Sequence, residues 1–294
     1  MSLTAFKIIS CAIGSLWIFT PAAADSQIGV GDCATCHGAI TREWRSSLHA
    51  QAYISPVFLK RKEELSGSGQ SSCACHAPEN IAPEFLGAVL QEREDSLHLG
   101  VDCLACHMDD DMVAWSGAQQ RFVPHFTRMD SIYSQGRFCT GCHGWGKESG
   151  FDCQQCHMPE VEGGGSDGPH IGKVDGAIHR SHGWPGSRNP EMLAQGAALT
   201  AVRNGKRLGL SVANLVGAHS FPVSSGHRAE IVVLTESSLN PVWEQSVALA
   251  VDSTAEYSLE LGDTRAGALV ELRFYPAPAV WPDSFYVLHK ETID

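Results

Sequence analysis

Hydrophobic positions fall into three textures along the chain. The first 24 residues carry Lys7, an apolar run from Ile8 to Phe19, and the small-residue stretch Pro21-Ala22-Ala23-Ala24 ahead of Asp25. A basic start, a short apolar run and small residues at its end predict a secretory signal over residues 1–24, with the mature chain opening at Asp25. The apolar run is shorter than the about 20 residues of a spanning helix, and no later segment is apolar enough to span. A soluble mature protein in the periplasm, an oxidising compartment, is therefore expected.

Residues 25–190 show neither a sustained helical period nor a sustained alternation. Gly, Pro, Ser and Asp punctuate them throughout, which predicts a mostly α and irregular domain of short helices and long loops. Gly163 to Pro169 reads as a flexible crossing. Met192, Leu193, Ala197, Ala198 and Val202 then follow a helical spacing, predicting a connecting helix over residues 191–205. From residue 206 to 294 the texture turns to strands, at Leu208–Leu215, Glu230–Thr235, Trp243–Val251, Ala268–Tyr275 and Phe285–His289. Their turn-rich connectors predict a small antiparallel β-sandwich, marginal alone but able to pack on the preceding domain.

The 18% charged and 43% hydrophobic fractions of the 294 residues suit a globular chain. Its 33 acidic residues outnumber 21 basic ones, for a formal charge of −12, which becomes −13 once Lys7 leaves with the signal. Such a surface excludes nucleic acid as a partner and predicts redox partner proteins with a basic docking patch, whose association slows as salt rises.

Eleven Cys and 14 His are far more than packing needs. Cys11 lies in the signal, and eight of the other ten form four Cys-x-x-Cys pairs, each followed by His. These are Cys33, Cys36 and His37; Cys103, Cys106 and His107; Cys139, Cys142 and His143; and Cys153, Cys156 and His157. Cysteines three apart on a helical turn share a side and can form thioethers to two haem vinyl groups, while the next residue sets an imidazole against the iron. Disulfides or structural zinc also use paired cysteines, but neither requires His after each pair. Four such coincidences among 14 His in 294 residues have a probability on the order of 10⁻⁵. Haem c is thus the expected cofactor, with four copies as a minimum.

A fifth site is irregular. Around it the chain reads Ser71-Ser72-Cys73-Ala74-Cys75-His76-Ala77-Pro78, with Ser72 where a regular motif has its first cysteine. The expectation is a fifth haem held by Cys75 with His76 on iron, with strain of Cys73 into a second bond left open. A loop with free thiols or a tight disulfide is the competing reading. Five motif histidines leave His49, His98, His125, His170, His179, His182, His219, His227 and His289 as candidates for the opposite faces of the irons. His227 and His289 lie in strand-like sequence and are expected to be structural. An imidazole on both faces favours electron transfer, whereas an open face permits substrate binding.

The motifs resemble the multihaem c-type cytochromes of the cytochrome c-552/4 kind. The resemblance rests on Cys33 to His37 followed by Trp44, Ser47, His49 and Ala50; on Cys75 to Pro78; on Gly100-Val101-Asp102 before Cys103; on Cys156 to Pro159; and on Ser181 to Gly186. A further element, Asn214 to Pro222, looks like one that opens a β-domain in several of these proteins. The resemblance implies closely stacked, mostly bis-histidine haems passing electrons in a periplasmic or surface-associated respiratory chain. It implies His49, His98, His182 and His219 as distal ligands, with His125 a further match. Ser72 and the extra residue between Gly217 and His219 depart from the family pattern. No Cys-x-x-Cys-Lys motif is present, so the lysine-ligated haem of cytochrome c nitrite reductases has no counterpart.

The expected function is electron transfer, with no catalytic residue assigned. One alternative is a reductase or oxidase of small nitrogen or sulfur oxyanions at a five-coordinate haem, with Tyr133, Arg121, Arg128 and Arg137 grouped for proton delivery. Another is a homo-oligomeric extracellular filament in which a spare His170 or His289 ligates a neighbouring copy's haem.

Overall fold

The structure, a computed structural model, describes residues 29–66, 73–82, 89–117, 125–144, 152–168, 176–224, 226–235, 238–261 and 267–293. The signal expected over residues 1–24 lies outside them, as do Arg121 and His170. Among the described residues, no helix is long and apolar enough to cross a membrane.

The N-terminal half is built from short helices of one to three turns. Helices α1 (Val30–Cys36) and α2 (Gly38–Ser46) meet at His37, and α3 (Pro56–Leu65) starts where Ser55 accepts from Phe58 N at 3.2 Å, with Pro56 in its first turn. Helices α4 (Cys103–His107) and α5 (Cys153–His157) span only their motifs. Each is capped by the aspartate before it, Asp102 accepting from Ala105 N and Asp152 from Gln154 N, both at 3.0 Å. Strand β1 (Ala114–Ser116) pairs in parallel with β2 (Thr127–Met129), and β3 (Glu160–Glu162) pairs antiparallel with β4 (Ile178–Arg180). The apolar core here is thin: Val30, Trp44 and Ala50, edged by Leu99, Cys103 and Trp184.

The C-terminal half has an ordinary core. Helix α6 (Pro190–Gly196) leads into β5 (Ala197–Asn204), β6 (Arg207–Asn214), β7 (Arg228–Thr235), β8 (Ser238–Val247), β9 (Thr254–Glu260), β10 (Ala268–Tyr275) and β11 (Tyr286–Ile293). Two antiparallel sheets result, in the orders β5-β6-β9 and β11-β10-β7-β8. Alternate residues of β6, namely Leu208, Leu210 and Val212, join Ile231, Val233, Val270 and Leu272 of the other sheet in one buried cluster.

The connecting helix expected over residues 191–205 is corrected by the structure, which ends α6 at Gly196 and starts a strand at Ala197. Ala197 and Ala201 point inward and are buried, while Val202 points out at 62% exposure, a period of two rather than 3.6. Asn204 pairs with Arg207 across Gly205-Lys206, and Gly205 takes φ +62°, so Gly205-Lys206 is a two-residue hairpin loop with glycine at its first position that ties this segment to β6. The sheet region therefore begins at residue 197, not 206. Strand β9 is a further addition to the expected strands; its inner face is marked by Ala255, Tyr257 and Leu259, of which Ala255 carries little strand signal.

Candidate functional site

Each regular motif closes one α-turn from its first cysteine to its histidine. His37 N donates to Cys33 O at 2.8 Å and His143 N to Cys139 O at 3.0 Å, and α4 and α5 are that turn. Three residues on an α-helix turn through about 300°, which leaves the two sulfurs about 60° apart and on one side. Thiols of different motifs lie against one another, Cys33 on Cys103, Cys139 on Cys153 and Cys75 on Cys142, so the motifs, in chain order, pack in two groups, the first with the third and the second with the fourth and fifth. None of the ten described cysteines is bridged. Among the described residues, no three His, Cys, Asp or Glu side chains converge as they would on a zinc ion.

Four motif histidines each face a histidine from a distant part of the chain. Ring centres are 6.4 Å apart for His37 and His125, 6.0 Å for His143 and His49, 6.1 Å for His107 and His182, and 6.4 Å for His157 and His219. These rings are too far apart to stack. Two metal–nitrogen bonds of about 2 Å, with about 1 Å from each nitrogen to its ring centre, add up to about 6 Å, so each gap fits one iron between two imidazoles.

The proton positions suit that fit. A carbonyl can only accept, so an imidazole nitrogen bonded to one must carry the proton, leaving Nε2 as the lone-pair donor. Nδ1 donates to a backbone carbonyl in His37 (Gly165 O, 2.6 Å), His107 (Trp115 O, 2.8 Å), His157 (Pro185 O, 2.8 Å), His182 (Arg180 O, 2.8 Å) and His219 (Ser220 O, 3.0 Å). Burial also keeps the rings neutral: it pushes His49 and His182 down to about 4, and lowers His107, His143 and His157.

Residues not foreseen from the sequence hold this arrangement. The Trp184 indole stands edge-on between His49, 4.5 Å away, and His182, 5.0 Å away, wedging apart the outer ligand positions of two motifs. Glu43 accepts from His182 N at 2.8 Å and contacts His179 Nε2 at 3.0 Å, while His179 Nδ1 donates to Gly163 O. Both nitrogens of His179 are thus engaged in tying α2 to β4. Asn214, buried at the end of β6, donates to His219 O and Ala250 O and shapes the loop that brings His219 to His157. Asp109 accepts from Val113 N and Trp115 Nε1, both at 2.8 Å, fixing the strand whose Trp115 carbonyl orients His107.

The irregular motif differs. His76 donates through Nδ1 to Ala52 O at 3.2 Å and packs against Phe58, ring centres 4.2 Å apart; among the described residues no imidazole faces it. Burial lowers its pKa as well. His98, expected as a distal ligand, is instead exposed on the 3₁₀ turn Leu97–Leu99, and no described ring approaches it. The short turn that presents it ends at Gly100, whose φ of +63° swings the chain back under His49. His227 packs on Phe274, and His289 meets Ala194 O and Ala197 O, so both are structural parts of the β region. Tyr133 stacks on His107 at 5.3 Å and donates to Cys106 O; Arg128 lies over Trp115 and 3.6 Å from Asp109; Arg137 is exposed.

Residues 32–108 match the family model described as cytochrome c554 and c-prime. No curated protein matches the chain. The fold is similar to that of a penta-haem cytochrome c552 from Thermochromatium tepidum, with a TM-score of 0.61 at 15% identity, over 90% of this chain and 99% of that one. The family match covers the first three motifs, and the likeness to the penta-haem cytochrome extends over the fold of both halves.

Proposed function

We propose that the protein carries five haem c groups and passes electrons between redox proteins in an extracytoplasmic respiratory chain. The observation that carries this reading is the set of four histidine pairs at 6.0 to 6.4 Å. His37 with His125, His49 with His143, His107 with His182, and His157 with His219 would each hold one iron from both faces. Bound there, haem supplies reversible one-electron chemistry. The residues' part is to keep both axial positions filled, hold the Nε2 lone pairs toward the metal, and exclude water with Trp184 and Tyr133. Motifs whose cysteines touch would hold their haems close enough for electrons to pass between them. The acidic surface suits a partner with a basic patch, and transfer to it should slow as ionic strength rises.

Electron paramagnetic resonance of the oxidised, haem-loaded protein tests the assignment. Four low-spin irons are expected, and high-spin signals from more than one iron would defeat it. A second reading rests on His76, which no described imidazole faces: an iron held at that motif would have an outer face open to a small ligand. Nitrite, hydroxylamine or sulfite would then change the haem spectrum, and no change with any of them would reject a catalytic role there.

A further inference from the structure

The two cysteines of the irregular motif are placed for different purposes. In the regular motifs the histidine N–H reaches four residues back; here His76 N reaches only three, to Cys73 O at 2.9 Å, because Ala74–His76 is a 3₁₀ turn. A 3₁₀ helix advances about 120° per residue, so cysteines two apart stand about 120° from each other, twice the angle of a regular pair. Their surroundings diverge accordingly. Cys75 turns toward Cys142 of the fourth motif. Cys73 is buried, 7% exposed, and faces the Glu92 carboxylate. Glu92 also accepts from Tyr53 Oη at 2.6 Å, and Tyr53 in turn accepts from Lys62 Nζ at 2.6 Å. Cys73 therefore ends a closed polar chain, and turning its sulfur toward Cys75 would break that contact in the interior.

We propose that the haem of this motif is fixed through Cys75 alone, one of its vinyl groups remaining intact, while Cys73 stays a buried thiol donating to Glu92. This rests on the reading above that the motif holds a fifth haem. The Cys75 S–H adds across one vinyl double bond: a carbon–sulfur bond forms, the thiol hydrogen goes to the other vinyl carbon, and nothing leaves. The addition needs neither oxidant nor reductant in its balance. An intact vinyl keeps its conjugation with the macrocycle, so this haem should absorb at longer wavelength than its four neighbours.

The test uses the full mature holoprotein. Intact mass counts the haems, and iodoacetamide after unfolding in guanidinium with a phosphine reductant counts free thiols, located by peptide mass. The expected result is five haems, one alkylated cysteine at position 73, and a reduced pyridine haemochrome α-band broadened to the red. Cys73→Ser should keep five haems and Cys75→Ser should leave four. Five haems with no alkylated cysteine, or with the label on Cys75, would overturn the proposal. Four haems with both cysteines labelled would remove the fifth haem itself, a separate failure recognised by the mass.

Discussion

The Arg93–Asp102 pair is the sharpest place to perturb the haem-binding half. Asp102 Oδ1 accepts from Ala105 N at 3.0 Å, capping the turn that carries Cys103, Cys106 and His107, while Oδ2 receives Arg93 at 2.5 Å. The carboxylate is 1% exposed and the guanidinium side chain 14%. Arg93 also donates to Gly100 O at 2.6 Å, and its own N–H reaches Ala77 O at 3.0 Å beside the irregular motif. One buried pair thus joins two motifs. Asp102→Asn keeps the capping oxygen but strands a buried cation, costing about 3–5 kcal/mol. Asp102→Ala loses the cap as well, for about 1 kcal/mol more. Arg93→Met strands the carboxylate at a similar cost, whereas the double variant Arg93→Met/Asp102→Asn buries no charge and should recover most of the loss. Guanidinium denaturation of the holoprotein, followed at the Soret band, gives the four stabilities of the cycle. Two single losses of that size with a double variant near wild type give an expected coupling of about 5 kcal/mol or more; single effects that add within about 0.5 kcal/mol would show that the pair does not hold the motifs together.

Three further outcomes are expected. Gly100→Ala would place a methyl carbon 2.2 Å from His49 O at a backbone φ of +63°, so the His49 segment must shift; a low-spin resonance signal should be lost or displaced, and an unchanged spectrum would refute the close approach. Burial alone would raise the Asp109 pKa, but the bonds from Val113 N and Trp115 and the Arg128 charge hold it below the usual aspartate value. Its stabilisation is therefore full above about pH 4 and lost as pH falls through the lower folded value, so thermal melts of wild type and Asp109→Asn should differ at pH 7 and converge toward pH 2. Leu272→Ala empties a fully buried position between the sheets and should cost about 2–5 kcal/mol, read by tryptophan fluorescence during urea unfolding.

What the sequence disclosed followed from how local each feature is. The four regular motifs are five-residue turns whose chemistry is complete within themselves, and the strands of the β region are read from alternation within eight residues. Pairing is different in kind. His125 and His219 face motif histidines, whereas His98 does not, although it stands only five residues before Cys103. Nearness along the chain said little because the partner of each motif comes from a distant segment. Trp184 was legible as part of a family element but not as the wedge between His49 and His182, a role set by rings that meet only in three dimensions. The helix expected through Ala197 and Val202 failed for a related reason: alanines fit either period, and the Gly205-Lys206 hairpin decided between them.

The order of the histidine pairs explains how so thin a core can define a structure. Residues 37 and 125 enclose His49, whose partner His143 lies beyond residue 125; His107 and His182 straddle residue 143; and His157 with His219 straddles residue 182. Each closure therefore interlocks with the next, and the last reaches into the β region, where Asn214 holds the loop that presents His219. Iron bonded across the four pairs would fix long loops whose ordering the small cluster of Val30, Trp44 and Ala50 cannot supply. Removing one outer ligand should consequently loosen segments far from its own iron. In His219→Ala, faster amide exchange around α5 and the Gly196–Ala197 junction is expected, while the buried strands β7 and β10 keep their protection; a change confined to residues 214–222 would show that the closures act independently.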